Sequence, residues 1–246
     1  MKKVGHIQEL WRYPVSSTGG EMCNALSVEE GGLAGDRRFG LFDTATGAVA
    51  TPEKDTRWRP ALSLYSRIQK NGETLIRFPD GQEIPLDDHH ISERLSAHFG
   101  FGVAPGKYAD VAEEISPRLP VIGRAYKASP LHLLTSSSVG QIESRLVSQE
   151  ADRRRFRPSL LLHTVPADDF PEDGWIGAIL HIGSVRAIVI ERTKRCGVTL
   201  IPQPDLPEQP EVLRTILRTN HRCLGVYCDV IDPGILRVGM DVSIED

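Results

Sequence analysis

The sequence has few of the features that identify several large classes of protein. It contains four cysteines in 246 residues and no C-x-x-C pair, so neither a disulfide framework nor a zinc clip is expected. The apolar stretch 179–190 is interrupted by His181 and Arg186 and is shorter than the ~20 residues that a membrane-spanning helix needs. No apolar segment of the kind found in a secretory signal follows Lys2 and Lys3. We therefore predict a cytoplasmic protein with no membrane partner.

An excess of charge of either sign is also missing. Lysine and arginine number 29 against 33 aspartates and glutamates, which gives a formal net charge of −4. This balance offers no general attraction for nucleic acid, so no nucleic-acid partner is expected. An anion site would have to be built locally from clustered basic side chains. The composition is otherwise that of a globular protein, long enough for one large domain or two small ones.

Turn signals dominate the first hundred residues. Thr-Gly at 46–47, Asn-Gly at 71–72 and Asp-Gly at 80–81 each separate short apolar segments, and such dipeptides favour β-hairpin turns. Three successive hairpins predict a small barrel or a curved meander. The four-residue spacing of Ile91, Leu95 and Phe99 then predicts a helix.

The second half combines short strands with two further helices. Apolar segments predict strands at 132–134, 160–162, 185–190, 225–230 and 235–244. A capping box at Ser138 and Gln141 predicts the start of one helix, and the pattern at 211–218 predicts another. The glycine- and proline-containing stretch 100–120 reads as a link between the halves. The predicted fold class is mainly β with a few helices (α+β).

Cys196 is the first candidate for chemistry. It follows an apolar strand and the polar residues 191–195, and it precedes Gly197, which places it on a loop just past a strand. The neighbouring Lys194 and Arg195 would favour the thiolate, the form that coordinates metals or attacks sulfur. The same pattern is compatible with a partly buried, inert thiol.

Four arginines around Phe156, in the stretch 153–157, are the second candidate. Guanidinium groups present a planar fork of donors that suits phosphate. Glu150 and Asp152 lie close in sequence, so a solvated surface segment with balanced charge is the alternative interpretation.

Several motifs, taken in their order along nearly the whole chain, resemble the MOSC family, which is named after the C-terminal domain of molybdenum cofactor sulfurase. The motifs are Tyr13-Pro14-Val15, Gly35-Asp36-Arg37, Phe156-Arg157-Pro158, the stretch 170–177, Arg195-Cys196 and the stretch 238–242. The resemblance implies a MOSC-type, pyruvate kinase β-barrel-like domain at 108–246, preceded by a MOSC N-terminal β-barrel region at 1–107.

The resemblance also implies a molybdenum–pyranopterin cofactor, with Cys196 as the catalytic residue and metal ligand. The implied cofactor contacts are basic or hydroxyl side chains, namely Ser16, Ser17, Arg37, Thr135, Ser136, Arg157, Ser159, Lys194 and Arg195. Ser16 and Ser159 depart from the reductases of the family, which usually carry Lys and Asn there. Each loss would weaken cofactor binding by about 1–3 kcal/mol, and Ser17 or Arg12 would be placed to compensate.

Three functions are compatible with this resemblance. The first is a reductase of N-hydroxylated small molecules that receives electrons from a separate electron-donor protein. The second is a sulfur carrier that holds a persulfide on Cys196, supplied by a cysteine desulfurase; pyridoxal phosphate would belong to that partner only. The third is a cofactor-binding module without turnover.

Overall fold

The fold is known from a computed structural model, which describes residues 1–109, 118–125, 130–148, 150–165 and 169–245. Strands predominate, which confirms the mainly β prediction. The strands are β1 (Lys2–Arg12), β2 (Glu21–Cys23), β3 (Ala25–Glu29), β4 (Gly32–Leu33), β5 (Phe39–Asp43), β6 (Tyr65–Ile68), β7 (Thr74–Arg77), β8 (Glu83–Pro85), β9 (Val103–Tyr108), β10 (Val121–Ile122), β11 (Leu131–Thr135), β12 (Leu160–His163), β13 (Ile179–Ile182), β14 (Val185–Lys194), β15 (Cys223–Asp232), β16 (Gly234–Arg237) and β17 (Asp241–Glu245).

The helices are few and short. The α-helices are α1 (Ile91–Phe99), α2 (Ser136–Glu143) and α3 (Pro210–Asn220), and 3-10 helices span Thr56–Ser63, Arg153–Phe156, Pro171–Trp175 and Gly197–Leu200. No helix in the described ranges is long and apolar enough to cross a membrane.

A closed seven-stranded barrel forms the larger part of the molecule. Its strands follow the order β12-β11-β15-β14-β13-β17-β1, and β1 also pairs with β12. The strand that closes the barrel is therefore the first one in the chain. A register shift between Ile7 and Glu9 interrupts its pairing with β12. Because of this bulge, Ile7 and Leu10, three residues apart, are both fully buried in the barrel core.

The N-terminal part has its own apolar core. Strand β5 pairs with β9, which pairs with β10, while β6, β7 and β8 form a meander. The turns predicted at 71–72 and 80–81 join the strands of this meander, and Gly72 and Gly81 have the left-handed backbone such turns require. The predicted helix is α1, with Leu95 fully buried beside Trp58.

Two details of the predicted secondary structure were wrong. The stretch 100–120, predicted as a link, contains the strand β9, which pairs with β5. Pro105 and Gly106 within β9 concealed this strand in the sequence. Residues 110–117 lie outside the described ranges. The single strand predicted at 235–244 is split, because β16 pairs with β3 and β17 pairs with β1. The division of the chain at residue 107 stays a prediction, and β1 contributes to the barrel of the second half.

The start of α2 also differs from the prediction. The helix begins at Ser136, and Thr135 is its cap: the Thr135 hydroxyl accepts a hydrogen bond of 3.1 Å from the backbone N–H of Ser138. The predicted box at Ser138 and Gln141 therefore lies inside the helix. The helix predicted at 211–218 is confirmed as α3 and extends slightly at both ends.

Candidate functional site

A cavity of about 360 Å³ is lined by residues from both halves of the chain. Seven of the ten predicted site residues line it: Ser16, Ser17, Arg37, Arg157, Lys194, Arg195 and Cys196. These residues come from four separate stretches of sequence, so the fold has assembled them. The cavity is the candidate functional site.

Strand β14 delivers Cys196 to the cavity. The polar residues 191–194 belong to this strand, and the 3-10 helix at Gly197–Leu200 starts directly after the cysteine. The backbone N–H of Arg195 donates to the Arg222 carbonyl at 2.8 Å. In return, the Arg222 side chain donates from Nε to the Arg195 carbonyl at 2.6 Å. The backbone of Arg195, directly before Cys196, is thereby held through both its N–H and its carbonyl.

Arg157 reaches the cavity from an uncommon backbone conformation. It follows the 3-10 helix at Arg153–Phe156 and has a left-handed φ of 53°. Its guanidinium lies 4.3 Å from the centre of the Tyr13 ring and donates to the Thr18 carbonyl. Burial lowers the pKa of Arg157 to about 10. The half-buried cation is thus held by an aromatic face and a neutral carbonyl.

Arg155 and Arg195 are more deeply buried, at 1% and 8% exposed. Arg155 donates to the backbone carbonyls of Thr199, Ile201 and Pro207. Arg195 donates from Nη2 to the Phe156 carbonyl at 2.6 Å. Burial lowers the pKa of both guanidinium groups. Both therefore carry their charge in an environment that penalises it.

No carboxylate forms a salt bridge with Arg155, Arg157 or Arg195 within the described ranges, where the salt bridges involve other residues. Nε of Arg155 and Nε of Arg195 are buried without a hydrogen-bond partner in the same ranges. Buried charge and unpaired donors are both costly unless a partner satisfies them. An anion bound in the cavity would supply that partner, so the chemistry of the site fits an anionic cofactor.

The thiol of Cys196 does not have the environment that its neighbours in sequence suggest. Arg195 does lower its pKa, but burial and the adjacent Glu53 carboxylate raise it by more. Glu53 also accepts a hydrogen bond of 3.3 Å from the backbone N–H of Gly197. Arg195 thus favours the thiolate as expected, but burial and Glu53 outweigh it, so the pKa of Cys196 is raised overall. A metal ion would replace the proton, since metal ligation requires the thiolate.

Thr135 and Ser136 are occupied elsewhere and do not line the cavity. The Thr135 hydroxyl donates to the buried carboxylate of Glu172 at 2.7 Å. The Ser136 hydroxyl accepts a hydrogen bond of 3.0 Å from the backbone N–H of Thr164. Both hydroxyls secure the junction of β11, α2 and the end of β12. Their predicted contact with the cofactor is therefore unsupported by their position.

Ser159 is fully buried and does not line the cavity either. Its hydroxyl accepts a hydrogen bond of 3.3 Å from the backbone N–H of His132, and its own N–H donates to the His132 carbonyl at 2.8 Å. Its carbonyl accepts from Trp11 N–H at 2.9 Å. The serine joins β11 to β1 and lies behind the cavity wall.

Glu172 provides a test of this buried network through the pH dependence of stability. It is fully buried, accepts from Thr135 and Ser138, and has a pKa raised above the ordinary 4.5 by burial. A carboxyl whose pKa is raised in the folded state contributes stability that is fully present below its ordinary pKa. That contribution is lost as the pH rises through the folded-state pKa. We expect Glu172→Gln to gain unfolding free energy relative to the wild type as pH rises above about 4.5. Urea unfolding at a series of pH values measures this; parallel curves for the two proteins would contradict it.

The sequence interpretation missed several residues that line the cavity, including Glu53, Tyr108 and His132, and it named Arg155 only as part of the candidate arginine run. His132 carried a usable signal, since it is a polar residue between Leu131 and Leu133 in an apolar strand. Glu53 carried none, because its proximity to Cys196 depends on tertiary structure alone.

Comparisons with known proteins agree with this fold. Residues 4–100 match the MOSC N-terminal beta barrel domain, and residues 89–243 match the MOSC domain. The chain is 25% identical to mitochondrial amidoxime-reducing component 1 of Homo sapiens, covering 99% of this chain and 84% of that protein. It is 23% identical to mitochondrial amidoxime reducing component 2 of Bos taurus, covering 97% and 83%. The YUAD protein of Bacillus subtilis has a similar fold, with a TM-score of 0.53 at 12% identity over 98% of this chain and 95% of that one. The chain belongs to the MOSC domain family.

Proposed function

We propose that this protein binds a molybdenum–pyranopterin cofactor and reduces N-hydroxylated compounds, with Cys196 as the protein ligand of the metal. One observation carries the proposal: a cysteine thiol shares a cavity with two buried guanidinium groups and one half-buried guanidinium group, and none of the three has a carboxylate partner in the described ranges. The reaction class comes from the relatives named amidoxime-reducing components.

The cavity residues divide by chemistry. Arg155, Arg157 and Arg195 would bind the anionic phosphate and the polar edge of the pterin, because guanidinium forks suit such groups. Arg37 already pairs with Asp36, so less of its charge is free for the ligand. Ser17 donates to the Ala50 carbonyl at 3.3 Å and keeps an acceptor for the cofactor.

The bound cofactor would supply two-electron chemistry at the metal. Reduction of an N-hydroxyl group consumes two electrons and two protons and releases water together with the reduced nitrogen compound. The electrons would arrive from a separate electron-donor protein. Cys196 would give up its proton on ligation, and the two hydrogen bonds between Arg195 and Arg222 would keep the backbone before Cys196 in place. A soft thiolate is a suitable anchor for such a metal.

The sulfur-carrier hypothesis receives less support from the site. A persulfide carrier needs a nucleophilic thiolate, whereas burial and Glu53 raise the pKa of Cys196. A module without turnover would use the same arginines and would differ from the reductase in its lack of activity. The sulfur-carrier role and its desulfurase partner stay predictions.

The test begins with protein purified from a host that makes the molybdenum cofactor. We expect about one molybdenum and one pterin per chain, and conversion of benzamidoxime to benzamidine with reduced methyl viologen as electron donor. Folded protein that contains neither molybdenum nor pterin would overturn the proposal. A mass gain of one sulfur on Cys196 after incubation with a cysteine desulfurase would then favour the carrier. Bound cofactor without turnover would favour the binding module.

A further inference from the structure

His132 lies in the wall of the cavity and takes no part in the chemistry described above. It belongs to β11 and is 4% exposed. Gly225 on β15, with a left-handed φ of 79°, leaves room for it: a Cβ at that position would lie 2.9 Å from Nε2 of His132. The Tyr227 ring packs 5.4 Å from the imidazole, centre to centre. The ring is therefore confined to one orientation.

The two ring nitrogens have different partners, which fix the tautomer. Nδ1 lies 3.1 Å from the Arg157 carbonyl, which can only accept, so Nδ1 carries the hydrogen. Nε2 lies 3.3 Å from Nη1 of Arg195, which can only donate, so Nε2 presents its lone pair. Burial, and to a smaller extent Arg195, lower the pKa of His132 to about 3, against the opposing effect of hydrogen bonds to the Arg157 and Leu224 carbonyls. The imidazole is thus neutral at physiological pH.

A neutral acceptor at this place has a specific advantage. A carboxylate in contact with Arg195 would orient its guanidinium but would also cancel the charge that binds the anion. The imidazole orients the same group and leaves the charge in place. Its N–H also holds the carbonyl of Arg157, a non-glycine residue in the left-handed region, where such a backbone needs support from its surroundings.

We propose that His132 is a positioning residue that directs the guanidinium of Arg195 toward the anion bound in the cavity. The inference rests on the proposed function for the identity of that anion, and on the contacts of His132 for its mechanism. It assigns Arg195 and His132 to one anion-binding unit, in which the arginine contacts the ligand and the histidine acts through it.

Isosteric substitutions separate the two contacts. A glutamine at 132 can place its side-chain oxygen near the position of Nε2 and keep the acceptor for Arg195. An asparagine can place its amide near the position of Nδ1 and keep only the contact with Arg157. We expect His132→Gln to bind inorganic phosphate within about twofold of the wild type, and His132→Asn and His132→Leu about tenfold more weakly, the effect of one hydrogen bond to a charged group. Calorimetric titration of the cofactor-free chain measures this.

A double-mutant cycle distinguishes positioning from a general structural role. In an Arg195→Met background, His132→Leu should change phosphate affinity by less than about twofold, because the residue through which it acts is gone. Thermal unfolding verifies that each variant is folded. If His132→Leu does not fold, the comparison of His132→Gln with His132→Asn still tests the proposal.

The outcomes are distinct. Equal affinities for the Gln and Asn variants, or full weakening by His132→Leu without Arg195, would overturn the role of His132. A wild-type chain that binds no phosphate would also overturn it. A wild-type chain that binds phosphate in the expected pattern but purifies without molybdenum or pterin would reject the proposed cofactor and support the positioning role.

Discussion

Replacement of Cys196 by serine should remove most of the molybdenum from the protein, at least about tenfold, because even residues that only orient a metal ligand contribute 10–100-fold. The side chain is half-buried, at the end of a strand. Serine keeps its size but offers a hard, protonated oxygen in place of a soft thiolate. Metal analysis of protein from a cofactor-producing host gives the content directly, and turnover of benzamidoxime should fall with it.

Cys23→Ser is the matched control. Cys23 is also a half-buried free cysteine, but it lies on β2 and does not line the cavity. Its burial and the nearby Glu21 raise its thiol pKa to about 11. Molybdenum content and turnover should match the wild type. A Cys196→Ser protein that keeps full molybdenum content would show that the metal has no thiolate ligand from this residue.

Replacement of Arg157 by methionine should lower the pterin content of the purified protein and weaken phosphate binding by about 10–100-fold, since a hydrogen bond to a charged group contributes about 1.5–3 kcal/mol. Methionine keeps an unbranched side chain and removes the guanidinium, which lies over the Tyr13 ring. Pterin fluorescence after oxidative release and phosphate calorimetry provide two readouts that do not depend on activity.

Arg154→Met separates the effect of position from the effect of charge. Arg154 belongs to the same run of arginines but pairs with Asp152 and does not line the cavity. Its loss should leave pterin content and phosphate affinity unchanged. Equal losses in the two variants would mean that the run acts through its overall charge and that Arg157 has no special contact with the ligand.

The sequence predicted those parts of the site that depend on short motifs. Cys196, Arg157 and Arg195 were found because each belongs to a characteristic string of residues, and the cavity brings the three together. The hairpins at 71–72 and 80–81 were equally accessible, because a turn depends on local backbone preferences.

The rest of the site depends on contacts between distant segments. Thr135 and Ser159 carry hydroxyl groups that suit an anion, but their partners Glu172 and His132 direct them away from the cavity. The residues next to Thr135 and Ser159 in sequence do not indicate these hydrogen-bond partners. For Arg155 the sequence erred in the other direction. The acidic residues near its run favoured a solvated surface segment, but in the structure Arg155 is 1% exposed and donates to three backbone carbonyls.

The departure at Ser16 also looks different in the structure. Ser16 lines the cavity, so a lysine there would add a cation to the site. Arg155, absent from the expected contacts, supplies a buried cation on the same cavity. The shortage of charge expected from Ser16 is thus partly offset by Arg155, whose place on the cavity is known only from the fold.

The closure of the barrel by β1 has a consequence for the synthesis of the protein on the ribosome. Strand β1 is made first, yet its two neighbours in the barrel are β12, which begins at Leu160, and β17, which begins at Asp241. At about 5–20 residues per second, translation leaves Ile7 and Leu10 without their partners Leu162 and Leu160 on β12 for roughly 8–30 seconds. During that interval the nascent chain exposes an unpaired apolar edge, a known hazard for aggregation. Cellular chaperones that shield such edges are therefore expected to raise the yield of folded protein.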